Sequence, residues 1–175
     1  MTDSRSASVH ASAVKVGDRA VLIRGPSGAG KSRLAFDLIL AGRTGVVSPA
    51  VLIGDDRVRL DTDAGQLWVR PVRELAGLIE IRGLGIRRCG FAEEAIVGLV
   101  VDLSASDAER LPPAEALFTD IYGVTIPRIP VGTGYTPLPL VVAALTTTES
   151  SCSGNSPAHC RKGIGNHISR TIATE

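Results

Sequence analysis

An α/β fold, a β-sheet flanked by helices, is what this sequence predicts, and three observations carry the expectation. Short, wholly apolar runs such as Ala20-Val-Leu-Ile23 and Val51-Leu-Ile53 have the pattern of strands buried on both faces of a sheet. Lys31 to Ala41 places Leu34, Ala35, Leu38 and Ile39 at helical spacing. Between the first run and that helix lies a glycine-rich turn, Gly25-Pro-Ser-Gly-Ala-Gly30.

The other elements follow in order. Val9 to Val16 alternates loosely and reads as a short strand turned at Gly17-Asp18. The helix from Lys31 has Gly42 as its C-terminal stop. Val58 to Leu60 and Leu67 to Val69 flank Asp61-Thr-Asp-Ala-Gly65 as a hairpin. Leu78 to Ile81 is apolar except for Glu80, and Ala95 to Leu103 is a third buried-type strand that closes on Asp102. Ser104 to Pro113 is a charged connection, Ile121 to Val124 and Ile126 to Ile129 are β-like, and Leu138 to Thr146 reads as a terminal helix. Residues 1–147 are thus expected to form one folded domain, and 148–175, low in apolar residues, a polar and disordered tail.

Composition narrows the function classes. With 19 Lys+Arg against 18 Asp+Glu among 175 residues, the chain has no broad electrostatic footprint for nucleic acid or an anionic membrane. Its longest apolar stretch, Leu138 to Leu145, falls far short of the roughly 20 residues needed to span a bilayer. Met1-Thr-Asp-Ser-Arg does not read as a secretory signal, and three cysteines make no even disulfide framework, so reduced thiols and a cytoplasmic location are expected.

The turn at Gly25-Pro26-Ser27-Gly28-Ala29-Gly30-Lys31-Ser32 fits a phosphate loop between a buried strand and a helix. Backbone N–H groups there, joined to the positive end of the helix dipole, can cradle phosphate oxygens. Lys31 would reach the β- and γ-phosphates of ATP, and the Ser32 hydroxyl would ligate Mg²⁺. Asp55-Asp56 follows a buried strand, and two adjacent carboxylates suggest divided work: one supports the metal shell while the other accepts a hydroxyl proton. Glu80 interrupts an apolar run, where a buried unpaired carboxylate would be expensive, so a Mg²⁺ or an arginine partner is expected. His10 reads as an ordinary surface or partly buried histidine. Arg82, Arg87 and Arg88 serve phosphates or merely solvate a loop. Cys152, His159, Cys160 and His167 match no familiar zinc spacing.

Taken together, Val9-His10-Ala-Ser-Ala-Val, Gly25 to Ser32, Leu52-Ile-Gly-Asp-Asp-Arg-Val58 and Ile79-Glu-Ile-Arg-Gly-Leu-Gly-Ile86 resemble the catalytic domain of HPr kinase/phosphorylase, in its short alphaproteobacterial form. The resemblance covers roughly His10 to Leu145 and implies a P-loop kinase core with a mixed sheet. It implies transfer of the ATP γ-phosphoryl group to a serine of the phosphocarrier HPr, with reversal by phosphorolysis in many members. It makes Asp56 the base and His10 its active-site partner, leaves Asp55 to the metal shell, and gives Mg²⁺ to Ser32 and Glu80. Arg82, Gly83 and Gly85 fall in the family's signature segment.

Longer members of that family assemble as hexamers, so a homo-oligomer is allowed. Three departures stand out. Arg33 replaces the usual Glu after the loop Ser, and the short Ser104–Pro113 segment offers only Arg110 for a catalytic loop arginine. Pro130-Val-Gly-Thr-Gly-Tyr135 lacks both arginines of a stretch linked to dephosphorylation. Kinase activity is therefore expected ahead of phosphorolysis. A small-molecule P-loop kinase and a nucleotide-binding regulatory module with little turnover are the competing readings.

Overall fold

The run expected as one strand over Val9 to Val16 is two, β1 (Ala7–His10) and β2 (Ser12–Val16), separated at Ala11. The chain changes partners there. β1 pairs with β5 (Arg57–Asp63), whereas β2 pairs with β3 (Arg19–Arg24) on one side and β4 (Ala50–Gly54) on the other. The computed structural model describes residues 7–148. Further along lie β6 (Gln66–Pro71), β7 (Leu78–Ile81), β8 (Gly85–Arg88), β9 (Ala95–Leu103), β10 (Phe118–Ile121) and β11 (Val124–Val131). The large sheet runs β1-β5-β6-β9-β3-β2-β4, with β11 alongside the second half of β9 and β10 beyond it. β9 is parallel to β3 and β11, and the remaining pairs are antiparallel, so the sheet is mixed. β7 and β8 form a separate hairpin.

Side-chain alternation builds two cores. Along β3, Val21 and Ile23 join the cluster that packs under α1 (Lys31–Arg43) and α2 (Pro137–Thr146), while Ala20 and Leu22 join a second cluster. That second cluster takes Leu60, Leu67 and Val69 from the β5–β6 hairpin and no helical residue. One face is thus covered by helices and the other by the sheet's own curl. In β9 the alternation slips: Val97 faces the second cluster, and Leu99 the first. The register against β3 shifts between Ala20 and Val21, a bulge that leaves Gly98 without a counterpart. A Cβ at Gly98 would meet the Arg19 Cβ at 2.9 Å, so the crowded bulge takes glycine.

The helix stop lies elsewhere than expected. Gly42 is inside α1, where a Cβ would meet the Ala50 backbone nitrogen at 2.5 Å; its role is close approach to β4. The stop is Gly45 at φ +75, with Val46 N–H donating to Ala41 O and Gly45 N–H to Gly42 O, the two bonds of a Schellman end. Of the two-residue hairpin loops, Ala64-Gly65 and Tyr122-Gly123 have positive φ at each residue, the twist-matched form, whereas Gly17-Asp18 has it at Gly17 alone. Residues 149–175 of the proposed tail, with Cys152, His159, Cys160 and His167, lie outside the described residues.

Candidate active site

Strand registers bring the expected residues to one end of the sheet. β3 ends at Arg24 opposite Asp102 of β9, Ser12 at the start of β2 lies opposite Ile23, and Ala13 lies opposite Gly54 at the end of β4. The glycine-rich loop leaves β3 at that end and runs into α1. Ligands of open α/β sheets characteristically sit at the carboxyl ends of such strands.

The loop needs its glycines for two different reasons. A Cβ at Gly25 would press on Leu103, at 2.9 Å from its Cβ and 3.0 Å from its carbonyl oxygen. Gly28 and Gly30 face open space, but their φ values of +80 and +99 disfavour any L side chain. Gly30 is the N-cap of α1, and no side chain caps that terminus. The first-turn amides are therefore available to an anion. Lys31, only 6% exposed, donates from Nζ to Gly25 O at 3.0 Å and Pro26 O at 3.1 Å, folding over the loop it would share with phosphates. Ser32 is half-buried beside it. Arg33, which puts a positive charge after the loop, is exposed and pairs with Asp37 one turn on, Nε to Oδ2 3.4 Å.

Asp55 is buried and Asp56 exposed. Arg57 N–H donates to Asp55 O at 2.7 Å, a three-residue turn that leaves Asp56 at its apex with φ +65. Such a conformation costs a non-glycine residue roughly 1–3 kcal/mol and gathers at functional sites. It projects the exposed Asp56 carboxylate toward His10, Nε2 to Oδ1 3.3 Å. His10 is held by pairing of β1 with β5, where it lies opposite Arg57. Asp55, 4% exposed, accepts from Ser12 Oγ at 2.5 Å through Oδ1 and from Glu80 N–H at 3.1 Å through Oδ2. Glu80 itself is exposed, so the argument from an expensive buried charge does not apply: its backbone binds Asp55, and its carboxylate is free to face solvent. Arg82 and Gly83 lie in the exposed β7–β8 turn and Gly85 opens β8, with Gly83 at φ +89 and Gly85 at φ +80.

Sequence reasoning missed the arginine frame behind the loop. Arg24 donates to both Asp102 oxygens at 2.6 and 2.7 Å, and Arg128 of β11 adds a third bond at 2.5 Å. Burial pushes the Asp102 carboxyl up, but the bonds from Arg24 and Arg128 outweigh it and hold it below the usual carboxylate range. Arg128 also grips Asp107 with two nitrogens, at 2.7 and 3.0 Å, and Ala116 O at 2.9 Å, anchoring the loop after β9. Its guanidinium is held protonated well above the ordinary range, first by Asp107 and, against burial, by Asp102. Arg110 is exposed on that loop. At the arginine-poor stretch, Gly132 lies under the Tyr135 ring, where a Cβ would come within 3.2 Å of Cδ2.

A family model, the HPr serine kinase C-terminal domain, matches residues 3–160. The chain belongs to the HPr kinase C-terminal domain family. It is 33% identical over 156 residues to the HPr kinase/phosphorylase of Mycoplasma mycoides, covering 81% of this chain and 48% of that protein. Against the enzyme of that name from Streptococcus pneumoniae it is 36% identical over 150 residues, 75% of this chain and 45% of the other. The structure resembles that of the HPr(Ser) kinase/phosphatase from Coxiella burnetii, with a TM-score of 0.63 and 26% identity over 79% of this chain and 93% of that one. The family assignment confirms the P-loop kinase fold expected from the motifs. The chain spans about half the length of the curated relatives it matches. Among the described residues no helix is long and apolar enough to cross a membrane.

Proposed function

We propose that this domain is an ATP-dependent protein-serine kinase that transfers the γ-phosphoryl group to a serine of the phosphocarrier HPr or a related protein, a step that would regulate phosphotransferase-dependent carbohydrate uptake in the cytoplasm. One observation carries the reading: the phosphate loop with its buried lysine and the His10–Asp56 pair stand at the same end of the sheet. The uncapped α1 terminus and the amides of Gly28 to Ser32 would bind the β- and γ-phosphates, with Lys31 moving from the Gly25 and Pro26 carbonyls onto them. Asp56 would take the proton of the serine hydroxyl as its oxygen attacks phosphorus and ADP departs, while His10 orients the carboxylate.

The oxygen donors present, the Ser32 hydroxyl and the exposed Glu80 carboxylate with Asp55 behind them, suit a hard cation. Mg²⁺ held there would neutralise charge on the phosphates. Forward transfer is favoured over phosphorolysis because Gly132 and Tyr135 provide no cation for an attacking inorganic phosphate.

The test is incubation of the enzyme with labelled ATP, Mg²⁺ and purified HPr-type carriers. Phosphoserine on the carrier is expected, and its loss in Lys31→Ala and Asp56→Ala. A folded wild-type enzyme that labels no carrier would overturn the reading. Label on free metabolites instead would make it a small-molecule kinase, and tight nucleotide binding without any transfer a regulatory module.

A further inference from the structure

Among the described residues the buried polar or charged ones are Ser12, Lys31 and Asp55. Lys31 belongs to the phosphate loop. The other two are hydrogen-bonded to each other across 43 residues of sequence, and the phosphoryl-transfer scheme gives Ser12 no part. Burying a hydroxyl and a carboxylate in a core of Ala, Val, Leu and Ile is costly unless every lone pair that matters is matched.

We infer that Ser12 is a positioning residue of the active site, acting through Asp55 to set where Glu80 and Asp56 stand. The inference rests on the kinase reading for its chemistry, but its physical basis is independent. Ser12 opens β2, one residue beyond the switch at Ala11 and two beyond His10, and is fixed opposite Ile23 at the root of the phosphate loop. Its Oγ–H donates to Asp55 Oδ1 at 2.5 Å, which fixes the rotation of that carboxylate. Oδ2 is thereby presented to the Glu80 N–H at 3.1 Å. The β7–β8 hairpin lies outside the large sheet, so this bond ties the backbone that carries Glu80 to the end of β4. Asp56, the next residue, is held at φ +65 by the turn that Asp55 O closes with Arg57 N–H. One hydroxyl therefore registers three segments: the strand after His10, the turn bearing the base, and the hairpin bearing the proposed metal carboxylate.

Ser12→Ala removes the donor at nearly constant volume. Asp55 Oδ1 then lies buried without its partner, and the carboxylate can turn away from Glu80. Partners behind metal ligands typically contribute about 10–100-fold to metal affinity or activity. The test titrates Mg²⁺ against a fluorescent ATP analogue, alongside binding in EDTA, thermal melting and carrier phosphorylation.

The Mg²⁺ midpoint should rise about tenfold in Ser12→Ala and return toward wild type in Ser12→Thr, with binding in EDTA unchanged. If Ser12→Ala does not fold, Ser12→Cys, which fills similar space with a weak donor, gives the same comparison. A lowered melting temperature with an unmoved Mg²⁺ midpoint would make Ser12 purely structural and overturn the inference. Should wild type label no carrier while its Mg²⁺-dependent nucleotide binding still responds to Ser12, the kinase reading fails and the positioning role stands.

Discussion

Replacing Arg128 by Met tests how firmly the frame behind the phosphate loop is held. The side chain is 13% exposed, and Met keeps much of its apolar stem while removing every donor. Asp102 would retain both bonds from Arg24, losing one charged hydrogen bond of three, a loss of about 1.5 kcal/mol. The carbonyl of buried Ala116 would lose a donor, adding about 1 kcal/mol. Asp107 is exposed, so solvent screens its ion pair with Arg128 and its loss adds little. The total, about 2–3 kcal/mol, corresponds to a fall in Tm of roughly 4–12 °C for a domain of this size.

Urea unfolding followed by circular dichroism would measure the loss, with exposed Arg110→Ala as the control expected to change stability by less than about 0.5 kcal/mol. The pH dependence gives a second check. Asp102 is held low by Arg24 and Arg128 against the pull of burial, and Asp107 by Arg128 first. A carboxyl with a depressed folded-state pKa stabilises fully above its unfolded value, about 4, and loses that contribution as the pH falls through the folded value. The gap between wild type and Arg128→Met should therefore be full near neutrality and narrow in acid below about pH 4, to the share left by the Ala116 carbonyl. A gap under about 1 kcal/mol at neutral pH, or one that stays constant into acid, would refute the account.

Three other substitutions or reactions are equally direct. Gly42→Ala should destabilise by about 1–2 kcal/mol although helix propensity favours Ala by about 1, because its Cβ would meet the β4 backbone; a more stable variant in denaturant titration would show that the helix simply shifts. Gly25→Ala should weaken nucleotide binding at least tenfold through its collision with Leu103, read by equilibrium binding; unchanged affinity would remove the close-approach argument for this glycine. Burial pushes the Cys89 thiol up, with Asp55 adding to it against Arg43, so the thiolate fraction should rise only above the pH at which a free cysteine titrates. Alkylation of the Cys89 peptide, followed by mass spectrometry, should show that displacement, and a curve matching a free thiol would contradict it.

What could be read from the sequence was contiguous in it. The strand, loop and helix around Gly25 to Ser32 occupy one stretch, so letters and context could be judged together. β8 was not legible because all four of its residues are exposed and carry no alternation. Gly42 and Gly45 both sit near the helix end, and only the close approach to Ala50 separates packing from stopping. The chain's break at Ala11 follows from β1 and β2 having different partners, which no local pattern records. The His10–Asp56 pair depended on family resemblance, since its geometry arises from β1 lying on β5, far away in sequence. Glu80 stands out in the sequence for interrupting an apolar run, yet its bond to Asp55 is made by its amide, a group every non-proline residue shares.

A strand ending in an acid beside the loop describes both β9 with Asp102 and β4 with Asp55, and the sequence pattern does not choose between them. Sheet order does. Across β9-β3-β2-β4 the loop-bearing strand has Asp102 on one flank and, beyond Ser12 of β2, Asp55 on the other. Asp102 is bound by two guanidinium groups, so its charge is matched within the protein and its place is fixed. Asp55 is bound by a hydroxyl and an amide, neutral donors that orient a carboxylate without cancelling it. A carboxylate bound by neutral donors alone therefore lies on the β4 flank, at Asp55, next to Asp56 with its His10 partner and tied to the Glu80 backbone, where the proposed chemistry needs a cation and a proton acceptor. The β9 flank instead has its carboxylate bound by Arg24 and Arg128, which tie the strand that carries the loop to β9 and β11.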